Sequence, residues 1–242
     1  MNEVQKAGEL VKLSGMISNY RCTRAIANFV FTDSDRTKMG VVAIAAGLAG
    51  LSGPAVATAA NATSTEEEAD YVEFDLDGKP VKGWVWRSPF KEGDQIEVAA
   101  EWVNDHYEAG GIMRPSDHTI ALYPHCSRGR ARHIKNVVKW WFIGVAILLG
   151  MVLLIVLSTV GFSRFFPTLM TGFHYVALGL YAFFGLMSIS LARKWMPFVR
   201  LAEKVFRTLG LPDPGNIDLV KSSKVQRKPE DPGEFGTFYF RY

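Results

Sequence analysis

The residues of this sequence best suited to chemistry gather in the stretch YPHCSRGRARHIKNVVKWW, residues 123–141, where His125 and Cys126 are followed by His133 and a run of arginines and lysines. An imidazole beside a thiol suits a nucleophile or a soft-metal ligand set, and His106 and His118, each preceded by an aspartate (Asp105 and Asp117), add further candidates. The spacing argues against both uses. There is no CxxC pair, no HxxxH or HExxH helix and no repeated ligand interval, so no metal and no other cofactor is expected. A phosphate-binding glycine loop and a nucleophile elbow are also missing, and the expectation is a protein that is not an enzyme. Cys22 and Cys126 are the two cysteines, which fits a reducing compartment better than a disulfide framework.

What the basic stretch enters explains it better. Residues 140–163 carry no charge, and after Arg164 neither do residues 165–192. Each block exceeds the roughly 20 residues that span a bilayer. The first holds 14 Leu, Ile, Val or Phe residues, each favouring insertion by about 0.3–0.6 kcal/mol. Two transmembrane helices follow, joined by a tight connection at 163–167. Basic residues resist translocation, and they crowd the outer flanks: Arg128, Arg130, Arg132, Lys135 and Lys139 before the first helix, Arg193 and Lys194 after the second, with Arg164 alone between. Both termini are therefore expected in the cytoplasm, with the flanking cations facing anionic lipid. The formal net charge is only +3 and its excess sits at the membrane boundary, so nucleic acid is not an expected partner. Gly172, Gly179 and Gly185 suit a close helix contact, with Gly144 and Gly150 opposite. His174 is an ionisable group inside the second span, and such groups suggest ion passage unless they lie near the interface; a helix starting at Pro167 would place it roughly 10 Å below the surface.

Ahead of the hairpin the hydrophobic period changes to two. Val72, Phe74 and Leu76 alternate with Glu73, Asp75 and Asp77; Ile96, Val98, Ala100 and Trp102 alternate with more polar neighbours. Asp77-Gly78 is a hairpin turn and Gly93-Asp94 another. Further strands are expected at 107–113 and 119–123, and two upstream at 10–20 and 23–33. Six or seven short strands could close into an OB-like barrel or sandwich. The expected class is thus an α+β membrane protein: an OB-like cytoplasmic β domain at 1–38 and 66–127, a basic juxtamembrane segment at 128–139, a two-helix hairpin at 140–163 and 165–192, a short amphipathic helix at 193–210, and a linker with a C-terminal strand at 211–242. The amphipathic helix, with Phe198, Leu201, Val205, Phe206 and Leu209 on one face, could lie on the anionic leaflet. The aromatic ending FGTFYFRY reads as a strand that pairs with the β domain or a partner.

Residues 39–65 interrupt the β domain with 27 uncharged residues rich in Ala and Gly. Gly40, Gly47, Gly50 and Gly53 supply spacing for close helix packing in a bilayer. An internal signal peptide is set aside, because cleavage would strand the basic flank outside; the opening MNEVQKAGEL has no apolar core of its own. A permanent third span would separate the upstream strands from their sheet. A surface-lying insertion that enters a bilayer conditionally is the reading adopted.

The segments NFVFTDSDR, EEEADYVEFDLDGKPVKGWVW and PSDHTIALYPHCSRGRARHIKNVVKWW, with the double apolar block, together resemble bacterial proteins described as type VI secretion system effectors. That resemblance implies an inner-membrane protein acting between bacteria or beside that apparatus, with membrane lipids, copies of itself and a secretion-apparatus or immunity protein as partners. It supplies no catalytic motif. A non-enzymatic effector with apolar segments would act by inserting in or permeabilising a membrane; the alternative is a resident inner-membrane adaptor or immunity-type protein presenting its OB-like domain.

Overall fold

A computed structural model describes residues 9–28 and 66–242. The chain divides into two compact units: Met1–Arg130 with Pro197–Tyr242, and Ala131–Met196. The insert at 39–65, with Gly40, Gly47, Gly50 and Gly53, lies outside the described residues.

The first unit is built on five strands that close into a barrel: β1 (Val11–Asn28), β2 (Glu66–Leu76), β3 (Lys79–Val85), β4 (Gln95–Val103) and β5 (His106–Arg114). Two upstream strands were expected, but β1 is one strand of 18 residues. It serves two neighbours in turn, pairing with β4 through Val11–Met16 and with β2 from Ile17 onward. A bulge between Ser18 and Arg21, with Asn19 at φ 54°, follows just after this change of partner, within the pairing with β2. Asp77 and Gly78 both have positive φ, as the two-residue β2–β3 hairpin requires. Closure comes from β3 running parallel to β5, Val81 opposite Tyr107 and Lys82 opposite Glu108. Inward-facing Ile17, Val72, Phe74, Leu76, Val81, Ile96, Val98 and Ile112 fill the interior, joined by Phe90 from the β3–β4 loop. The far end of β5 pairs instead with β6 (Thr119–Leu122), which extends the sheet beyond the barrel.

The second unit starts in α1 (Arg130–Val160), so the basic segment is its first turns rather than a separate element. Gly161, at φ 72°, turns the chain, and α2 (Phe162–Thr168) follows with Pro167 inside it. A π-helical turn (Leu169–Phe173) comes next and then α3 (His174–Thr208). The turn therefore falls on one glycine, the residue for which a left-handed backbone is cheap, and not on the expected 163–167. Two stretches, Arg130–Val160 and Phe162–Thr208, are long and apolar enough to cross a membrane. Within this unit Trp141 makes the helix contact, donating Nε1–H to the Tyr181 carbonyl at 3.2 Å and lying 3.1 Å from where Gly185 would carry a Cβ. Of the five glycines expected at a close contact only Gly185 meets a neighbour; Gly144, Gly150, Gly172 and Gly179 have open space beside them.

The end of α3, from Pro197, belongs to the first unit. Phe198, Leu201, Ala202, Val205, Phe206 and Leu209 are buried there, corresponding to roughly 1.5–3 kcal/mol for each large side chain. Their stripe packs on the outer face of β5, where Gly110 and Gly111 leave room for Leu201 and Val205. The amphipathic helix thus continues α3 and covers protein instead of lying on lipid. Its stripe suits either surface, and the flat glycine pair on β5 lets the helix approach the strand. Gly210 at φ 79° ends the helix, with Leu211 N–H donating to the Phe206 carbonyl. After α4 (Leu219–Gln226), the two-residue strand β7 (Phe240–Arg241) pairs antiparallel with β6.

Candidate functional site

The His-Cys pair that drew attention in the sequence is divided between two structural tasks. Cys126 is fully buried, its Sγ 3.4 Å from the Phe198 carbonyl, and burial pushes its thiol far above the ordinary range. A thiol so held is no nucleophile. His125, at φ 67°, points away: its Nε2 is 3.0 Å from a Glu67 carboxylate oxygen, and its ring packs on Trp86 and Phe198. Burial lowers its proton affinity, against the opposing pull of Glu67. His118 packs on Tyr242, and Asp117 pairs with Arg114 at 2.8 Å. Partial burial works against ionisation of Asp117, but the Arg114 guanidinium and the Thr119 N–H bring it down to about 2. Among the described residues no group of three or more His, Cys, Asp or Glu side chains could hold a metal ion.

The basic flank is not uniformly available to lipid. Arg128 is tied to Asp218, Nε to Oδ1 at 3.2 Å, and Arg130 lies 3.9 Å from Glu203. Lys139 sits over the Trp140 ring, Arg132 is half-buried, and Lys135, Arg193 and Lys194 are exposed. His174 caps the π-helical turn with its ring against Tyr175. Because the helical stretch begins at Phe162, His174 lies roughly 18 Å along it rather than roughly 10 Å.

The barrel carries the more developed polar geometry. An open cavity of about 480 Å³ lies between the β1 bulge and the β2–β3 hairpin, within the size range of ligand sites. Glu92 shapes its wall by accepting the N–H groups of Asn19 and Tyr20 at 3.0 and 2.8 Å, and Asn19 Nδ2 donates to Asp75 at 2.7 Å. Burial raises the Tyr20 hydroxyl well above its usual range. Lys82, also in the lining, pairs with Glu73 at 3.2 Å.

Beyond the barrel end, Arg87 is a buried hub. It donates to the Glu68 carbonyl and carboxylate and to Glu234, stands 3.9 Å from the buried Asp70, and covers the Phe238 ring at 5.1 Å. Asp70 in turn accepts from Arg24 Nε and the Ser88 N–H. Sequence reasoning missed this hub and the buried Glu101 and Glu108. Their neighbours come from distant segments, and alternation marks such positions as solvent-facing. No family model, curated protein or solved structure matches the chain.

Proposed function

We propose that the protein is a membrane-anchored binding module: a two-helix hairpin crosses the bilayer and holds an OB-like barrel on its cytoplasmic side, without enzymatic chemistry. One observation carries this reading. The chain leaves the barrel unit at Arg130 and re-enters it at Pro197, so both ends of the apolar stretch belong to one compact body. A folded body cannot lie on both sides of a membrane, so the stretch between must cross an even number of times. The basic flanks against the single Arg164 favour a cytoplasmic position for that body, and the resemblance to secretion-associated proteins favours a bacterial inner membrane. The cavity beside the β1 bulge is the surface offered to a partner or small ligand.

The topology is open to a direct test. In a variant with both native cysteines replaced, a cysteine at Ser163 is expected to react with an impermeant thiol reagent in intact spheroplasts, and one at Ser222 is not. The reverse labelling would refute the orientation, and equal labelling the hairpin.

A second reading, a type VI secretion-associated effector that permeabilises a membrane, is favoured by a different observation: almost none of the most apolar 18-residue window of either stretch is buried within the chain. Two helices alone enclose no channel, so this reading needs a homo-oligomer. Open space beside Gly172 and Gly179 would receive a neighbouring copy's helix. Wild-type expression would then depolarise the membrane, and Gly179→Leu would reduce the effect at least severalfold while leaving the protein membrane-bound. No depolarisation by the wild type would leave the anchored module as the function.

A further inference from the structure

His106 opens β5 with its ring between two carboxylates. Nδ1 is 2.8 Å from Asp105 Oδ1, and Nε2 is 3.2 Å from Glu108 Oε2. Both ring nitrogens thus face acceptors, but a neutral imidazole carries one N–H and satisfies one of them. Both contacts form only when the three groups together hold one extra proton. Either the ring is an imidazolium between two carboxylates, or it donates to Asp105 and accepts from a protonated Glu108.

The surroundings make loss of that proton costly. Glu108 is 1 % exposed, and its Oε1 has no hydrogen-bond partner. On β4 the buried Glu101 stands directly opposite it. Lys82 stands opposite on β3 and is itself engaged by Glu73 of β2. Tyr71 of β2 and Tyr123 after β6 lie near enough for the Glu108 charge to raise their hydroxyls further, beyond the effect of burial. Without the proton, Asp105 and Glu108 flank a neutral ring with Glu101 alongside, and Lys82 is the cation facing them from β3. The site where this strain falls is the tight β4–β5 turn, in which Asn104 already has φ 55°.

We propose that Asp105, His106 and Glu108 form a one-proton lock on the β4–β5 turn, closed when the proton is held and open when it is released. The lock does not depend on the function proposed above. Hydrogen bonding to Glu108 raises the proton affinity of His106 against the effect of burial, and burial raises that of Glu108. Both shifts point the same way. A group whose folded affinity is raised stabilises the fold fully below its ordinary value, about 6.5 for histidine, and that contribution is lost as pH rises through the folded value.

The test is hydrogen–deuterium exchange of residues 101–108 in the full-length protein in lipid nanodiscs from pH 5.5 to 9, corrected for the intrinsic rate. The opening constant is expected to rise about tenfold for each unit by which the folded affinity is raised. Glu108→Gln separates the lock from ordinary structural support, because its amide donates to Nε2 with no proton required. That variant should stay closed across the range, and His106→Gln should lose the pH dependence. A flat wild-type profile, or the wild-type profile retained in Glu108→Gln, would overturn the proposal.

Discussion

Replacing Phe206 with alanine is expected to destabilise the barrel unit by about 3–5 kcal/mol, the range for removing a fully buried aromatic ring from a core. Phe206 is 0 % exposed and shares its stripe with Leu201 and Val205, which fill the space over Gly110 and Gly111. A loss of this size is a large part of the roughly 5–15 kcal/mol that typically holds a domain together. Proteolysis within residues 66–123 should therefore accelerate strongly in detergent-solubilised protein. Phe183→Ala, on the same helix but 58 % exposed, is the control and should leave the barrel nearly unchanged. A helix lying on lipid would behave in the opposite way, with Phe206→Ala weakening membrane association and sparing the barrel; that result would refute the packing described here.

Arg87→Ala should be the most damaging charge substitution in the barrel unit, costing about 3 kcal/mol, the lower end of the range for breaking a buried ion pair. Its guanidinium joins three separate parts of the chain: β2 through Glu68, the loop after β3 through the Trp86 carbonyl, and the C-terminal segment through Glu234 and the Phe238 ring. The lower end applies because Glu68 and Glu234 keep about half of their side-chain exposure, and Asp70 retains Arg24. Lysine should not restore stability, because an ammonium has neither the planar fork nor the stacking face. The expected signature is faster amide exchange over residues 234–242 together with a lower denaturation midpoint. Unchanged protection of that segment would show that Arg87 is not what holds it.

Legibility in the sequence followed the range of the interactions involved. The two apolar blocks could be read because a membrane-length run of Leu, Ile and Val needs no knowledge of its neighbours. Strands β2 to β5 could be read because one side of each faces the same interior, which imposes alternation on every strand separately. Alternation could not reveal that β1 is continuous, because the bulge at Ser18–Arg21 breaks the period just after the strand has changed partner. The Asp77-Gly78 turn was visible as a dipeptide, whereas the turn at Gly161 was masked by Pro167, which α2 accommodates within its length.

By itself, the sequence determined which segments are apolar enough to leave water, where charge resists translocation, and which stretches have the periodicity of a half-buried strand. These are properties of composition and spacing within a few turns of chain. Tertiary structure alone decided what each apolar face covers. The stripe from Phe198 to Leu209 suits lipid and protein equally, and only the Gly110–Gly111 surface assigns it to the barrel. That assignment covers the outer face of the sheet at Gly110 and Gly111. Glu101 and Glu108, at positions alternation marks as polar, are buried as well, and Arg87 is enclosed where β2 and the C-terminal segment meet. A charge surrounded in this way depends on residues far away in sequence, so no local pattern encodes its environment.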